Sequence, residues 1–100
     1  MSQESWGFAP PPFQAEEALQ RLRRELRELG LSERAGMFER RGLALARAAV
    51  AEGDIAAAVV RKPSRNSPEW QARELKSSAD RRDFTHHLKR QLAQWSDRDD

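Results

Sequence analysis

The sequence predicts an α+β domain made of an N-terminal helix, a three-stranded antiparallel β-meander and a C-terminal helix. Three observations carry that expectation. Leucines recur at spacings of three and four in the first third of the chain, two short apolar runs flank Glu52-Gly53-Asp54, and Ser77 to Asp80 has the pattern of a capping box. At 100 residues the chain has room for one domain. Its bounds are read as 13–95, between a proline-rich lead-in at 1–12 and a short acidic tail at 96–100, expected to fray.

In the lead-in, Gly7 and the triple proline Pro10 to Pro12 cannot continue a helix and favour polyproline II, so 1–12 is expected to be disordered or extended. Trp6 and Phe8 within it are expected to fold back on the domain surface. From Ala15 onward, Ala18, Leu19, Leu22, Leu26 and Leu29 fall on one helical face. Glu16 and Glu17 sit in the first turn, where carboxylates interact well with the exposed amides. Phe13 is placed to staple onto Ala18. Gly30 suits the left-handed position after the helix, which would bring Leu31 onto Leu26 as in a Schellman cap. The opposite face carries Arg21, Arg24, Glu25 and Glu28 and reads as solvated, with Arg21 and Glu25 four apart. Ser32 is expected to cap a further turn or two through Phe38.

The stretch from Gly42 to Lys62 admits two readings. As a long helix ending at Gly53 it would place Phe38, Gly42, Leu45 and Ala49 on one face, in an all-α bundle of three or four helices. As a hairpin it would turn at Glu52-Gly53-Asp54. Strands are preferred because Gly42 and Gly53 bracket a strand-length run, because the second run ends in Pro63, and because Glu69 to Lys76 alternates. Alternation there sets Trp70, Ala72 and Glu74 against Gln71, Arg73 and Leu75. Ser67-Pro68-Glu69, a good helix start, argues the other way. The last helix is expected from Ser78 to about Trp95, with Ser77 as its N-cap and Phe84, Leu88, Leu92 and Trp95 on its buried face.

Composition narrows the chemistry. Fifteen of the 18 basic residues are arginine and alanine is abundant, a bacterial-like composition suggesting a GC-rich genome. The net charge of +2 comes from 18 basic and 16 acidic groups, so charge is mixed rather than one-sided. Cysteine is absent, which excludes disulfides, thiolate nucleophiles and zinc–thiolate sites. No apolar run reaches the length of a membrane span and the N-terminus lacks the features of a signal peptide, so a cytoplasmic location and no membrane partner are expected.

No enzyme motif emerges, no cofactor or metal is implied, and no small-molecule substrate is evident. His86 and His87 are adjacent, so on a helix they point about 100° apart and cannot chelate one ion. Asp83 lies four before His87 and could pair with it, a surface ion pair rather than a dyad, since no nucleophile accompanies it. One feature rises above background. Arg61, Lys62, Arg65, Arg73 and Lys76 face only Glu69 and Glu74, a net of +3, with Trp70 in their midst. Cations beside an aromatic platform suit single-stranded RNA or DNA. Strand alternation, however, separates Trp70 from Arg73 and favours Trp70 as part of the core. The sequence therefore points to a non-enzymatic binding or adaptor domain whose partner is another protein or a second copy. The alternative is a single-stranded nucleic-acid module using Arg61, Lys62, Arg65, Trp70, Arg73 and Lys76.

Overall fold

The computed structural model describes residues 13–98. It comprises α1 (Ala15–Glu28), β1 (Ser32–Arg34), β2 (Met37–Arg40), β3 (Leu43–Ala51), β4 (Asp54–Val60), β5 (Trp70–Leu75) and α2 (Ser78–Arg98). All five strands form one antiparallel sheet in chain order. The α+β expectation holds and the all-α bundle does not, because 43–60 is a paired hairpin. The sequence predicts three strands, and the described residues form five. Instead of a helical turn through Phe38, the chain forms β1 and β2. The lead-in at 1–12 lies outside the described residues, and α2, which the sequence predicts to end near Trp95, runs to Arg98.

The meander rests on three two-residue turns, Ala35-Gly36, Arg41-Gly42 and Glu52-Gly53, which close on the pairs Arg34↔Met37, Arg40↔Leu43 and Ala51↔Asp54. In each turn both residues have positive φ, near +50° to +56° at the first and near +80° at the second. That is the type I′ geometry whose twist matches paired strands. Gly36 is the most constrained of the three glycines. A Cβ there would lie 3.2 Å from the Ala48 carbonyl oxygen, and the Gly36 carbonyl itself accepts a hydrogen bond from Ala48 N–H at 3.1 Å.

Between β2 and β3 the register shifts, so that Phe38 opposes Ala46 while Glu39 opposes Ala44. Leu45 is the extra residue of this bulge, and both Leu45 and Ala46 are buried, which strict alternation would forbid. Register then defines two faces. Phe38, Ala46, Val59 and Gln71 form one cross-strand row, and Met37, Arg47, Ala58 and Ala72 form a row on the other face. Both helices cover the first face. Arg23 of α1 bonds Glu33 of β1 at 2.9 Å, and Arg40 of β2 bonds Ser96 of α2 at 3.0 Å. The core between helices and sheet includes Leu22, Leu26, Phe38, Ile55, Val59 and Leu88, all fully buried.

The helix ends behave as their residues dictate. Leu31 N–H donates to the Leu26 carbonyl at 3.2 Å and Gly30 N–H to that of Arg27 at 2.9 Å, a Schellman closure with Leu31 buried on Leu26's side of the core. At α2, Ser77 Oγ accepts from Asp80 N–H at 3.1 Å. The Asp80 carboxylate reaches back to Lys76 N–H at 3.0 Å, one residue before the position a capping box would satisfy. The expected buried face of α2, Phe84, Leu88, Leu92 and Trp95, is buried throughout.

One charge lies inside this core. Arg81 is 4 % exposed and its guanidinium sits 2.5 Å from Glu25 Oε1, which also accepts from Thr85 Oγ1 at 3.1 Å. Glu25 is therefore not part of a solvated Arg21–Glu25 pair as its spacing suggested. It reaches across to α2, because a guanidinium excluded from water needs a carboxylate more than an exposed arginine does. Glu25→Ala should lower unfolding free energy by about 2–4 kcal/mol in urea titrations, by leaving a buried guanidinium unpaired. Glu25→Leu combined with Arg81→Met should recover most of that loss. A Glu25→Ala variant as stable as the parent would show that the ion pair does not tie the helices together.

Candidate functional site

The structure distributes the six basic-stretch residues along β5 and its approaches. Arg61 follows β4, with its N–H donating to the Glu69 carbonyl at 3.0 Å and its guanidinium 3.9 Å from the Glu69 carboxylate. This tie extends the β4–β5 pairing, so Ser67-Pro68-Glu69 leads into a strand and does not start a helix. Lys62 and Arg65 are exposed in the same connection. Trp70 pairs with Val60 at the start of β5 and so shares that end of the strand with Arg61. Arg73 and Lys76 lie toward the other end, where Lys76 sits 3.4 Å from Glu74. Lys76 also borders an open cleft of about 610 Å³ between the N-termini of the two helices.

Alternation separates Trp70 from Arg73, but the core is on the side of Leu75, not of Trp70. Ile55 pairs with Leu75 beneath the helices, which sends Trp70 to the helix-free face. There the indole is half-buried against the rim of the core, and the guanidinium of Arg47 stacks 4.7 Å from its ring centroid. Sequence reading missed Arg47 as a site residue. Its signal was its isolation, as the one charged residue of the β3 segment LALARAAVA. Around the Arg47–Trp70 pair this face is low in relief, with Ala49, Ala56 and Ala72 exposed.

β5 is also an edge. It pairs with β4 alone, and no described residue pairs with its other side. The opposite edge, β1, has three residues where β5 has six. An edge strand presents unpaired N–H and C=O groups in alternation, a template for a further strand. Ala72, Arg73 and Glu74 at its centre are all exposed.

Beside this edge a cleft of about 330 Å³ separates β5 from α2. Leu75 and Phe84 floor it, and Arg73, Arg90, Asp83 and His87 stand around it. The His87 imidazole is held below its ordinary value of 6.5, first by burial and then by the positive charges of Arg73 and Arg90. Asp83 makes no ion pair with His87, so the pairing suggested by their four-residue spacing is not formed. Neither Arg73 nor Arg90 forms an ion pair within the described residues. Arg90 is a second residue that sequence reading missed. It lies three after His87 on α2, but only the packing of α2 on β5 brings it toward Arg73.

Among the described residues no group of three His, Asp or Glu side chains is placed to hold a metal ion, and no helix is long and apolar enough to cross a membrane. No family model, curated protein or solved structure matches the chain.

The depressed His87 sets a pH dependence. The groups facing it are Arg73 and Glu74 from β5 and Asp80, Asp83 and Arg90 from α2. Because its folded pKa lies below 6.5, the unfolded chain binds a proton more readily. The stability it contributes is full above pH 6.5 and is lost as pH falls through the lower folded value. His87→Gln should therefore show a smaller drop in urea midpoint than the parent between about pH 7.5 and about pH 5.5. Equal drops would show that His87 is not held neutral by its surroundings.

Proposed function

We propose that the chain is a non-enzymatic protein-binding domain that receives an extended segment of its partner along the β5 edge. The observation that carries this reading is the six-residue edge itself, unpaired among the described residues, beside an open cleft and a helix-free face. Backbone pairing supplies affinity in such strand addition, and the pockets flanking the edge supply selectivity. The opposite edge offers half the length for pairing.

A nucleic-acid module is the second reading, and Trp70 supports it, since it shares the helix-free face with Arg47 and one end of β5 with Arg61. Against it, the indole already has a cation on its ring, Arg73 belongs to the other face, and Glu69 and Glu74 each stand beside one of the cations. Phosphate contacts by three to five of these cations on a single strand would give a log–log salt slope of about −2 to −3.5.

The two readings separate in one experiment. The ¹⁵N-labelled full chain is titrated with single-stranded RNA at low salt and, separately, with strand-forming peptides of about ten residues, the length of a long strand. Peptide-induced amide shifts concentrated in β5 and absent with RNA are expected. Saturable RNA binding with that salt slope, lost in an Arg61/Arg65/Arg73→Ala variant, would replace the protein-binding reading.

A further inference from the structure

We infer that the strand received at the β5 edge is β5 of a second copy of this chain, paired antiparallel about a two-fold axis at Ala72 so that the two sheets become one. This inference rests on the strand-addition reading above and names the partner.

The direction of the backbone groups comes first. Arg61 N–H donates to the Glu69 carbonyl, in a pair that continues the β4–β5 register. In an antiparallel ladder every second opposed pair exchanges hydrogen bonds. Gln71, Arg73 and Leu75 therefore turn their N–H and C=O groups toward β4, and Trp70, Ala72 and Glu74 turn theirs toward the open side. Lys76 follows the same alternation, because its N–H leaves the ladder for the Asp80 carboxylate. The side chains of Trp70, Ala72 and Glu74 all lie on the helix-free face.

Symmetry then limits the register. A two-fold axis normal to the sheet carries each face onto itself, so residues opposed across it must share a face. Two such registers leave only one residue of the six-residue strand without a strand partner, one centred on Ala72 and one on Arg73. Centring on Arg73 would set two guanidiniums directly opposite each other, which is unfavourable. Centring on Ala72 opposes Ala72 to Ala72, Trp70 to Glu74 and Gln71 to Arg73, with no like charges face to face. The open N–H and C=O groups of Trp70, Ala72 and Glu74 then meet those of the second copy. Glu74 of that copy comes to lie beside the indole on which the Arg47 guanidinium stacks. Gln71 of that copy brings an amide oxygen to Arg73, which has no ion pair within the described residues.

The charge of the edge selects its own copy. A two-fold contact meets its own charges, so an edge of one sign would repel itself. This edge is mixed: β5 carries Arg73 and Glu74, and the cleft beside it sets Arg73 and Arg90 against Glu74, Asp80 and Asp83. Ala72 at the axis is small and exposed, so no bulky side chain stands between the two strands on the helix-free face. β1, with three residues, is too short for a ladder of this length.

The test follows self-association of the full chain by sedimentation over a wide range of concentration. A contact of this length is small, so dilution should reverse it. Amides of Trp70, Ala72 and Glu74, fast-exchanging in the monomer, should slow as dimer forms. Ala72→Pro removes an N–H that points away from β4, so it should abolish the dimer while leaving the urea midpoint near the parent's. Ala72→Lys and Ala72→Glu should each weaken the dimer about tenfold by placing like charges at the axis, and an equal mixture of the two should recover at least the parent's affinity. Dimers that survive Ala72→Pro, or Lys and Glu variants that do not recover on mixing, would overturn the inference. A chain that stays monomeric while strand-forming peptides shift its β5 amides would overturn self-pairing and leave strand addition standing. A monomer whose β5 amides no peptide moves would overturn both.

Discussion

Three tight turns determine what the rest of this protein can be. Because each hairpin from β1 to β4 closes in two residues of positive φ, each strand is obliged to lie beside its sequence neighbour in a fixed register. A chain so constrained can only build a meander, and a meander that does not close has two edges. The first edge is short because β1 is cut off after three residues by the turn at Ala35-Gly36. The last is long because the 61–69 connection leads into a six-residue strand, after which the chain passes directly into α2. Placing both helices on one face then leaves the other face and the β5 edge uncovered by any described helix or strand.

The helix-covered face reconciles an alanine-rich sheet with a packed core. Ala46, Ala48 and Ala57 are buried toward the helices and contribute little volume, while the bulk comes from Phe38, Ile55, Val59 and Leu75 and from the leucines of α1 and α2. Small side chains in the middle of the sheet accommodate large ones projecting from the helices, the alternation that close packing favours. The bulge at Leu45 adds one more large inward residue to β3 than alternation allows. The Arg81–Glu25–Thr85 network spans the junction of the two helices.

What could be read from the sequence was what is decided locally. The periodicity of α1, its Schellman closure at Gly30 and the start of α2 at Ser77 depend on residues within a few positions of one another, and each is found as expected. β3, β4 and β5 were legible from run length, alternation and the Glu52-Gly53 turn. β1 and β2 were not, because three- and four-residue strands are too short to show alternation and because Ala35-Gly36 and Arg41-Gly42 lack the Asn or Asp that usually marks this turn. The basic stretch was visible as composition, but its partners were not. Arg47 meets Trp70 only through the register of β3 on β4 and β4 on β5, Arg90 approaches Arg73 only through helix packing, and Glu25 finds Arg81 across 56 residues.

Strand addition at β5 requires a free edge, and native-state amide hydrogen exchange on the dilute protein tests that directly. An unpaired edge strand bonds its neighbour through every second residue, so the amides from Trp70 to Leu75 should alternate between slow and fast exchange while those of β4 are slow throughout. Uniformly slow exchange along β5 would mean that another strand already covers it, and the edge could not be where a partner binds.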